Sequence, residues 1–180
     1  GPNTCHESRS SQEARDKMRV GIYVDARESS ISKNVVDIVN GVKDFRYHNY
    51  LTFCTDDREP EDILELGHMN DVVRTAIKAG LHPIDAIRSG TFNIATQLGV
   101  KNIGAISPGF VADILLCECI EELVPSAVFY EGNLVAKDGE LIKVIEDKEY
   151  SIEKENSVFV EKLNIDDFKI KAPVESGSVM

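Results

Sequence analysis

Along the first hundred positions, apolar residues recur alternately at strand-like and at helical intervals. Pro2 to His6 reads as a strand end, and Ser11 to Val20 as a helix with Ala14, Met18 and Gly21 at helical spacing. Ile22 to Arg27 is a strand. Ile31 to Val42 is a second helix, apolar at Val35, Val36, Ile38, Val39 and Val42, and Tyr50 to Thr55 is a third strand. This rhythm implies parallel strands joined by helical crossovers, because parallel neighbours cannot be linked by a tight turn.

A long helical region follows. Pro60 suits a first helical position, and Glu61 and Asp62 add favourable charge to the first turn. Leu66, Met69, Val73 and Ala76 recur at three- and four-residue steps, which predicts one buried face up to Gly80, where the helix closes. Pro83 starts another helix, expected to break near Ser89-Gly90 and to end at Gly99; His82 before it is a surface or capping residue. From Ala105 the period changes. Ala112 to Leu116, Ala127 to Tyr130, Leu134 to Ala136 and Leu141 to Ile145 are strand-like, and Gly132-Asn133 and Asp138-Gly139 are two-residue hairpin signals. The expected organisation is an α/β part over 1–104, a small antiparallel meander over 105–146, and a polar linker or tail over 147–180, loose from Pro173. The α/β part offers three strands, whereas a closed barrel of eight strand–helix units needs roughly 250 residues. If this is a barrel, the chain begins in its middle.

Composition narrows the function classes. The formal charge of −11, with no tryptophan and 7% aromatics, argues against a nucleic-acid partner. No apolar run approaches the roughly 20 residues that span a bilayer, and no signal peptide opens the chain, so no membrane partner is expected. Cys5, Cys54, Cys117 and Cys119 are too few and too scattered for a disulfide framework, which points to a reducing cytoplasm. The Cys117-x-Cys119 spacing is wrong for a zinc knuckle, and these two read as inert strand cysteines.

Two places put potential metal ligands at strand ends: Cys5-His6-Glu7, just before the polar Ser8-Arg9-Ser10, and Thr55-Asp56-Asp57-Arg58. In parallel α/β architectures function sits at the C-terminal ends of strands. Histidine nitrogen with carboxylate oxygen suits zinc, iron or manganese. The plainer alternatives stay open: a strand-end histidine held by structural hydrogen bonds, and Asp56-Asp57 as a loop and capping sequence before Pro60. One histidine and one aspartate do not make a tight site, since catalytic metals usually take three or more protein ligands. Alternation places Thr52, Cys54 and Asp56 on one face and Leu51 and Phe53 on the helix side, so Asp57 points away from Asp56.

The run Phe53-Cys54-Thr55-Asp56-Asp57-Arg58-Glu59-Pro60-Glu61-Asp62, with Gly67-His68-Met69 and Val72-Val73-Arg74, resembles the last barrel strand and following helix of adenine deaminases in the amidohydrolase superfamily. Thr4-Cys5-His6-Glu7-Ser8 is similar to that family's sixth-strand motif, usually Asp-His-Glu. Arg27-Glu28-Ser29-Ser30 resembles its Arg-Glu-Gly-Ser run after strand seven. Gly104 to Ile114, with Pro108-Gly109-Phe110-Val111-Ala112-Asp113, is similar to the superfamily's return from the barrel into a small β-domain. The resemblance runs from about Asn3 to Lys171 and implies a partial (β/α)8 TIM-type barrel, its last three strand–helix units, followed by the meander. It implies hydrolysis of adenine to hypoxanthine and ammonia by a metal-activated hydroxide at a binuclear divalent centre of manganese, iron or zinc.

Carried over by position, His6 and Asp56 correspond to metal ligands, and Asp56 and Glu7 to the catalytic carboxylates that orient water and move its proton. Arg27, Glu28, Arg58 and His68 correspond to candidates for lining the purine pocket. Cys5 stands where the family has an aspartate, and Ser29 where it has a glycine. The family's His-x-His motif, bridging carboxylate and strand-five histidine have no counterpart in the chain. It therefore holds two metal ligands at most, and it is expected not to deaminate adenine by itself. Unpaired strand edges predict self-association or association with the missing N-terminal part of the barrel. The alternatives are another hydrolase of the superfamily, acting on a cyclic amide or an N-acetyl amino sugar, and a non-catalytic half-barrel interaction module. Asp56-Asp57-Arg58 and Gly67-His68 favour the deaminase.

Overall fold

The computed structural model describes residues 1–142 and 158–170. The chain divides into two units, Gly1–Val144 and Ile145–Met180. In the first, β1 (Thr4–Cys5), β2 (Tyr23–Arg27) and β3 (Leu51–Cys54) form a parallel sheet in that order, connected by α1 (Ser11–Arg19) and α2 (Val35–Val42). The register pairs Cys5 with Val24, Val24 with Leu51, and Ala26 with Phe53, which puts these residues on one face. Val24, Ala26, Leu51 and Phe53 are buried there against Ala14 and Met18 of α1 and Val35, Ile38, Val39 and Val42 of α2. Thr4 pairs with Tyr23, Asp25 with Thr52, and Arg27 with Cys54, which gives the opposite face its polar character. The helices α1 and α2 meet at backbone distance. A Cβ on Gly41 would stand 2.6 Å from the Ser11 carbonyl oxygen, so only glycine allows this approach.

Each helix boundary has a local cause. Ser10 caps α1 by accepting from the Glu13 amide, and Lys17 and Arg19 place positive charge in its last turn. The second helix begins at Val35, four residues later than its apolar pattern suggests. The Ser29 hydroxyl accepts from the Ser32 amide (2.7 Å) while the Ser29 amide donates to the Ser32 carbonyl (3.1 Å), and this tight turn uses up the first residues.

The region expected as one helix to Gly80 is two: α3 (Pro60–Leu66) and α4 (Met69–Lys78). The break falls at Gly67, whose φ of 102° favours glycine, and the Asn70 side chain accepts from the His68 amide (2.9 Å) beyond it. As a result α3 buries nothing and Leu66 is exposed, while Val72, Val73 and Ala76 of α4 join the core. Then come α5 (Pro83–Ser89), with the His82 ring accepting from the Ile84 amide as its cap, and α6 (Phe92–Gln97), with Gly99 at φ 68° after it. The break near Ser89-Gly90 matches the sequence expectation.

β4 (Ile114–Cys117), β5 (Pro125–Tyr130), β6 (Asn133–Lys137) and β7 (Glu140–Leu141) form an antiparallel meander. Asp138 and Gly139 turn with φ of 51° and 85°, as the hairpin signal predicts. The other turn sits one residue earlier than its signal, on Glu131-Gly132 (φ 49° and 77°), and Asn133 pairs with Tyr130. None of the strand residues in this sheet is buried. The expected strand beyond Ile142, residues 147–157 of the expected tail and the stretch Pro173 to Met180 lie outside the described residues. In the second unit, Ile165–Phe168 makes one 3-10 turn, capped reciprocally by Asn164 and Asp167. No helix among the described residues is long and apolar enough to cross a membrane.

Candidate functional site

The C-terminal ends of the three parallel strands bring together four of the residues singled out by sequence. His6 and Glu7 follow β1, Arg27 ends β2, and Asp56 lies two residues past β3. Strand alternation carries Arg27 onto the polar face with Asp25, and β1 puts Thr4 on that same face. Arg27 Nη1 donates to Asp56 Oδ2 (2.8 Å) and Glu7 Oε1 (3.2 Å), and Nη2 donates to Glu7 Oε2 (3.2 Å). His6 Nε2 stands 3.2 Å from Glu7 Oε1. One guanidinium thus joins carboxylates from two different strand ends, with its own side chain only 13% exposed. Its hydrogen bond to Asp56 holds that carboxyl below the usual carboxylate range, and the same contact pushes the Arg27 guanidinium up.

Asp56 itself adopts φ 52°, a left-handed conformation that aspartate tolerates because its side chain can bond locally. Here Asp56 Oδ1 accepts from the Asp57 amide (2.8 Å). Asp57 is exposed and contributes its carbonyl, which accepts from the Ser30 amide (3.0 Å) and so ties the loop after β2 to the loop after β3.

Several supporting residues carry no local sequence signal. Asn34 is buried, and its side chain accepts from the Arg27 amide (2.8 Å) and donates to the Ser8 carbonyl (2.9 Å). Asp25 accepts from Thr4, Thr52 and Gln97, the last from 72 residues away. Cys54 lies near Asp25 and Asp56; burial and then those charges push its thiol up to about 12. Cys5 faces the helices, its Sγ 3.0 Å from Lys17 Nζ, and so turns away from Arg27 on the opposite face. Burial raises that thiol, but contacts led by the Lys17 hydrogen bond outweigh it and leave it below its ordinary value.

Glu28, Arg58 and His68 stand apart from this group. Arg58, 3% exposed, donates to the Glu28 carbonyl (2.9 Å) and to Asp71 Oδ2 (2.6 Å), and Arg74 takes the other Asp71 oxygen (3.2 Å). The buried Glu28 carboxyl lies 3.8 Å from Lys33 Nζ, its Oε2 has no hydrogen-bond partner among the described residues, and burial pushes its pKa up. His68 is exposed and its Nε2 is 3.3 Å from Thr55 Oγ1.

His6 and Asp56 are chemically suitable metal donors. Yet Arg27 already occupies Asp56 Oδ2 and both oxygens of Glu7, and no group of three His, Cys, Asp or Glu among the described residues converges to hold an ion. By themselves these residues do not fit a metal centre.

The sequence model of the amidohydrolase family matches residues 4–145, which include all these positions. An adenine deaminase of Kosmotoga olearia is 35% identical over 152 residues, covering 84% of this chain and 26% of that protein. One of Clostridium acetobutylicum is 32% identical over 180 residues, 100% of this chain and 31% of its own length, and one of Bacillus pumilus is 38% identical over 137 residues, 76% and 24%. The chain therefore spans between about a quarter and a third of the curated relatives it matches. A crystal structure of an amidohydrolase superposes with a TM-score of 0.51 at 21% identity, covering 73% of this chain and 38% of that one, a likeness of fold alone. Family match and fold agree: the chain belongs to the amidohydrolase family.

Proposed function

We propose that this chain is one portion of a cytoplasmic, metal-dependent adenine deaminase that hydrolyses adenine to hypoxanthine and ammonia. The observation that carries this reading is the meeting of His6, Glu7, Arg27 and Asp56 at neighbouring strand ends, within a stretch matched to adenine deaminases. Residues 1–104 are then three strand–helix units of an eight-unit barrel, 105–146 strands of a small β-domain, and 147–180 a linker. In the complete protein His6 and Asp56 serve as donors to a binuclear divalent centre of manganese, iron or zinc. Glu7 and Asp56 hold and move protons, and Arg27 orients both carboxylates. Arg58 and Glu28 support the purine pocket from behind the loops, and the exposed His68 lies at its margin.

The chain's partners are adenine, through the complete protein, and a second polypeptide surface. β1 and β3 are each paired on one side only within the described sheet, and an open edge recruits strands. That surface belongs to another copy or to the complementary part of the barrel.

The test compares the complete protein with this chain alone for ammonia release from adenine, a cyclic imide and an N-acetyl amino sugar, each with added manganese. The complete protein is expected to turn over adenine and to lose about a hundredfold or more in kcat with Asp56→Asn. The chain alone is expected to show no turnover. Preference for the imide or the sugar, or steady turnover by the chain alone, overturns this reading. Inactivity of the complete protein on all three points to an interaction module instead.

A further inference from the structure

The geometry points to Gln97 of α6 as a positioning residue that holds Glu7 against Arg27 through Thr4 and Asp25. The inference rests on the reading of Glu7 and Asp56 as proton-moving carboxylates and adds what keeps them in place. The strand that delivers Glu7 has little backbone hold: β1 is two residues long and pairs only with β2 in the described sheet. Its side-chain hold comes from α6. Gln97 Nε2 donates to Thr4 Oγ1 on β1 (2.6 Å) and to Asp25 Oδ1 on β2 (2.8 Å). The Thr4 hydroxyl in turn donates to Asp25 Oδ2, which closes a ring of three hydrogen bonds. Thr52 Oγ1 on β3 donates to Asp25 Oδ1 (2.5 Å), so one carboxylate joins all three strands. One turn before Gln97, on the same face of α6, the buried Asn93 side chain donates to the His48 carbonyl (2.8 Å) and the Leu51 carbonyl (2.9 Å) where β3 begins. The helix is thus anchored to β3 while it pins β1. Position matters because both Arg27 bonds to Glu7 are 3.2 Å long, at the outer edge of the normal range, against 2.8 Å to Asp56. A small slip of β1 therefore releases Glu7 while Asp56 stays held.

The experiment follows the guanidinium signals of Arg27 and Arg58 by nitrogen NMR in this chain, with circular dichroism to confirm folding. Rotation about the Cζ–Nε bond is slow while carboxylates grip both prongs and speeds up when one lets go. Gln97→Ala, and Thr4→Val, which removes the hydroxyl at nearly constant shape, are each expected to speed Arg27 rotation about tenfold. Arg58, held by the Glu28 carbonyl and Asp71, is expected to stay unchanged. Thr4→Ser keeps the hydroxyl and is expected to match the unmodified chain. Should Gln97→Ala not fold, Thr4→Val against Thr4→Ser carries the same comparison. In the complete protein, Gln97→Ala is expected to lower kcat about tenfold and to leave KM within about twofold. Unchanged Arg27 rotation in the folded variants overturns the inference, and so does an equal change at Arg58, which would make Gln97 a general structural support. Unchanged kcat in a complete protein that turns over adenine overturns it as well. Because no substrate enters the NMR measurement, its failure leaves the deaminase reading standing, and failure of adenine turnover leaves the NMR result standing.

Discussion

Replacing Asn34 with alanine removes a side chain that joins two elements of the candidate site. Its oxygen accepts from the Arg27 amide at 2.8 Å and its nitrogen donates to the Ser8 carbonyl at 2.9 Å, both in a setting where Asn34 is 9% exposed. The Asn34 amide also donates to the Arg27 carbonyl (3.0 Å), so the residue clasps the end of β2 from both sides. Alanine keeps that backbone bond but strands one buried amide and one buried carbonyl. Each stranded group costs about 1–3 kcal/mol. Water entering the vacated space recovers part of this, which leaves a net loss of about 2–4 kcal/mol. That is a large share of the roughly 5–15 kcal/mol that stabilises a domain. Asn34→Asp keeps the acceptor for Arg27 but faces the Ser8 carbonyl with a carboxylate oxygen, so it does not rescue. Asn40→Ala is the control, since the exposed Asn40 side chain accepts from Lys43 at the surface, and it is expected to stay within about 0.5 kcal/mol. Urea unfolding with an unchanged slope reads the loss, and hydrogen exchange at the Arg27 amide reads its place. An Asn34→Ala chain within about 0.5 kcal/mol of the unmodified one would falsify this account, as would unaltered exchange at Arg27.

Two further outcomes follow from the layer behind the loops. Asp71→Ala leaves the 3%-exposed Arg58 without its carboxylate and is expected to cost about 3–5 kcal/mol in thermal unfolding, with much of the loss recovered by adding Arg58→Met; a loss under about 1 kcal/mol would put this pair with surface ion pairs instead. Burial raises the pKa of Glu28, so the folded chain binds its proton more tightly than the unfolded one, and stability falls as pH rises from the ordinary glutamate range through the raised value. Glu28→Gln is therefore expected to gain on the unmodified chain as pH rises above the ordinary glutamate range, and a difference that stays flat with pH refutes the assignment.

Periodicity and turn chemistry made much of the fold legible. The three strands, the helices between them, the break at Ser89-Gly90 and the Asp138-Gly139 turn each depend on residues within a few positions of one another. The placement of His6 and Asp56 at strand ends follows from the same local rhythm. What the sequence left open depends on docking. Gly67 is compatible with a continuous helix or a break, and burial of Val72, Val73 and Ala76 against the sheet accompanies the break. The start of α2 waits on the Ser29 turn, and the hairpin at Glu131-Gly132 on the strand register.

The site shows the same division. Glu7, Arg27 and Asp56 were each visible as candidates, but their sharing of one guanidinium required the parallel register that sets Arg27 beside Cys54. Asn34 and Gln97 carry no motif at all, because their hydrogen bonds reach 26 and 72 residues along the chain to Ser8 and Asp25. Local spacing determines which way a side chain faces within its own strand or helix. Only the packing of helices on the sheet decides which distant polar groups meet, since a buried donor or acceptor must find whatever partner that packing brings within reach.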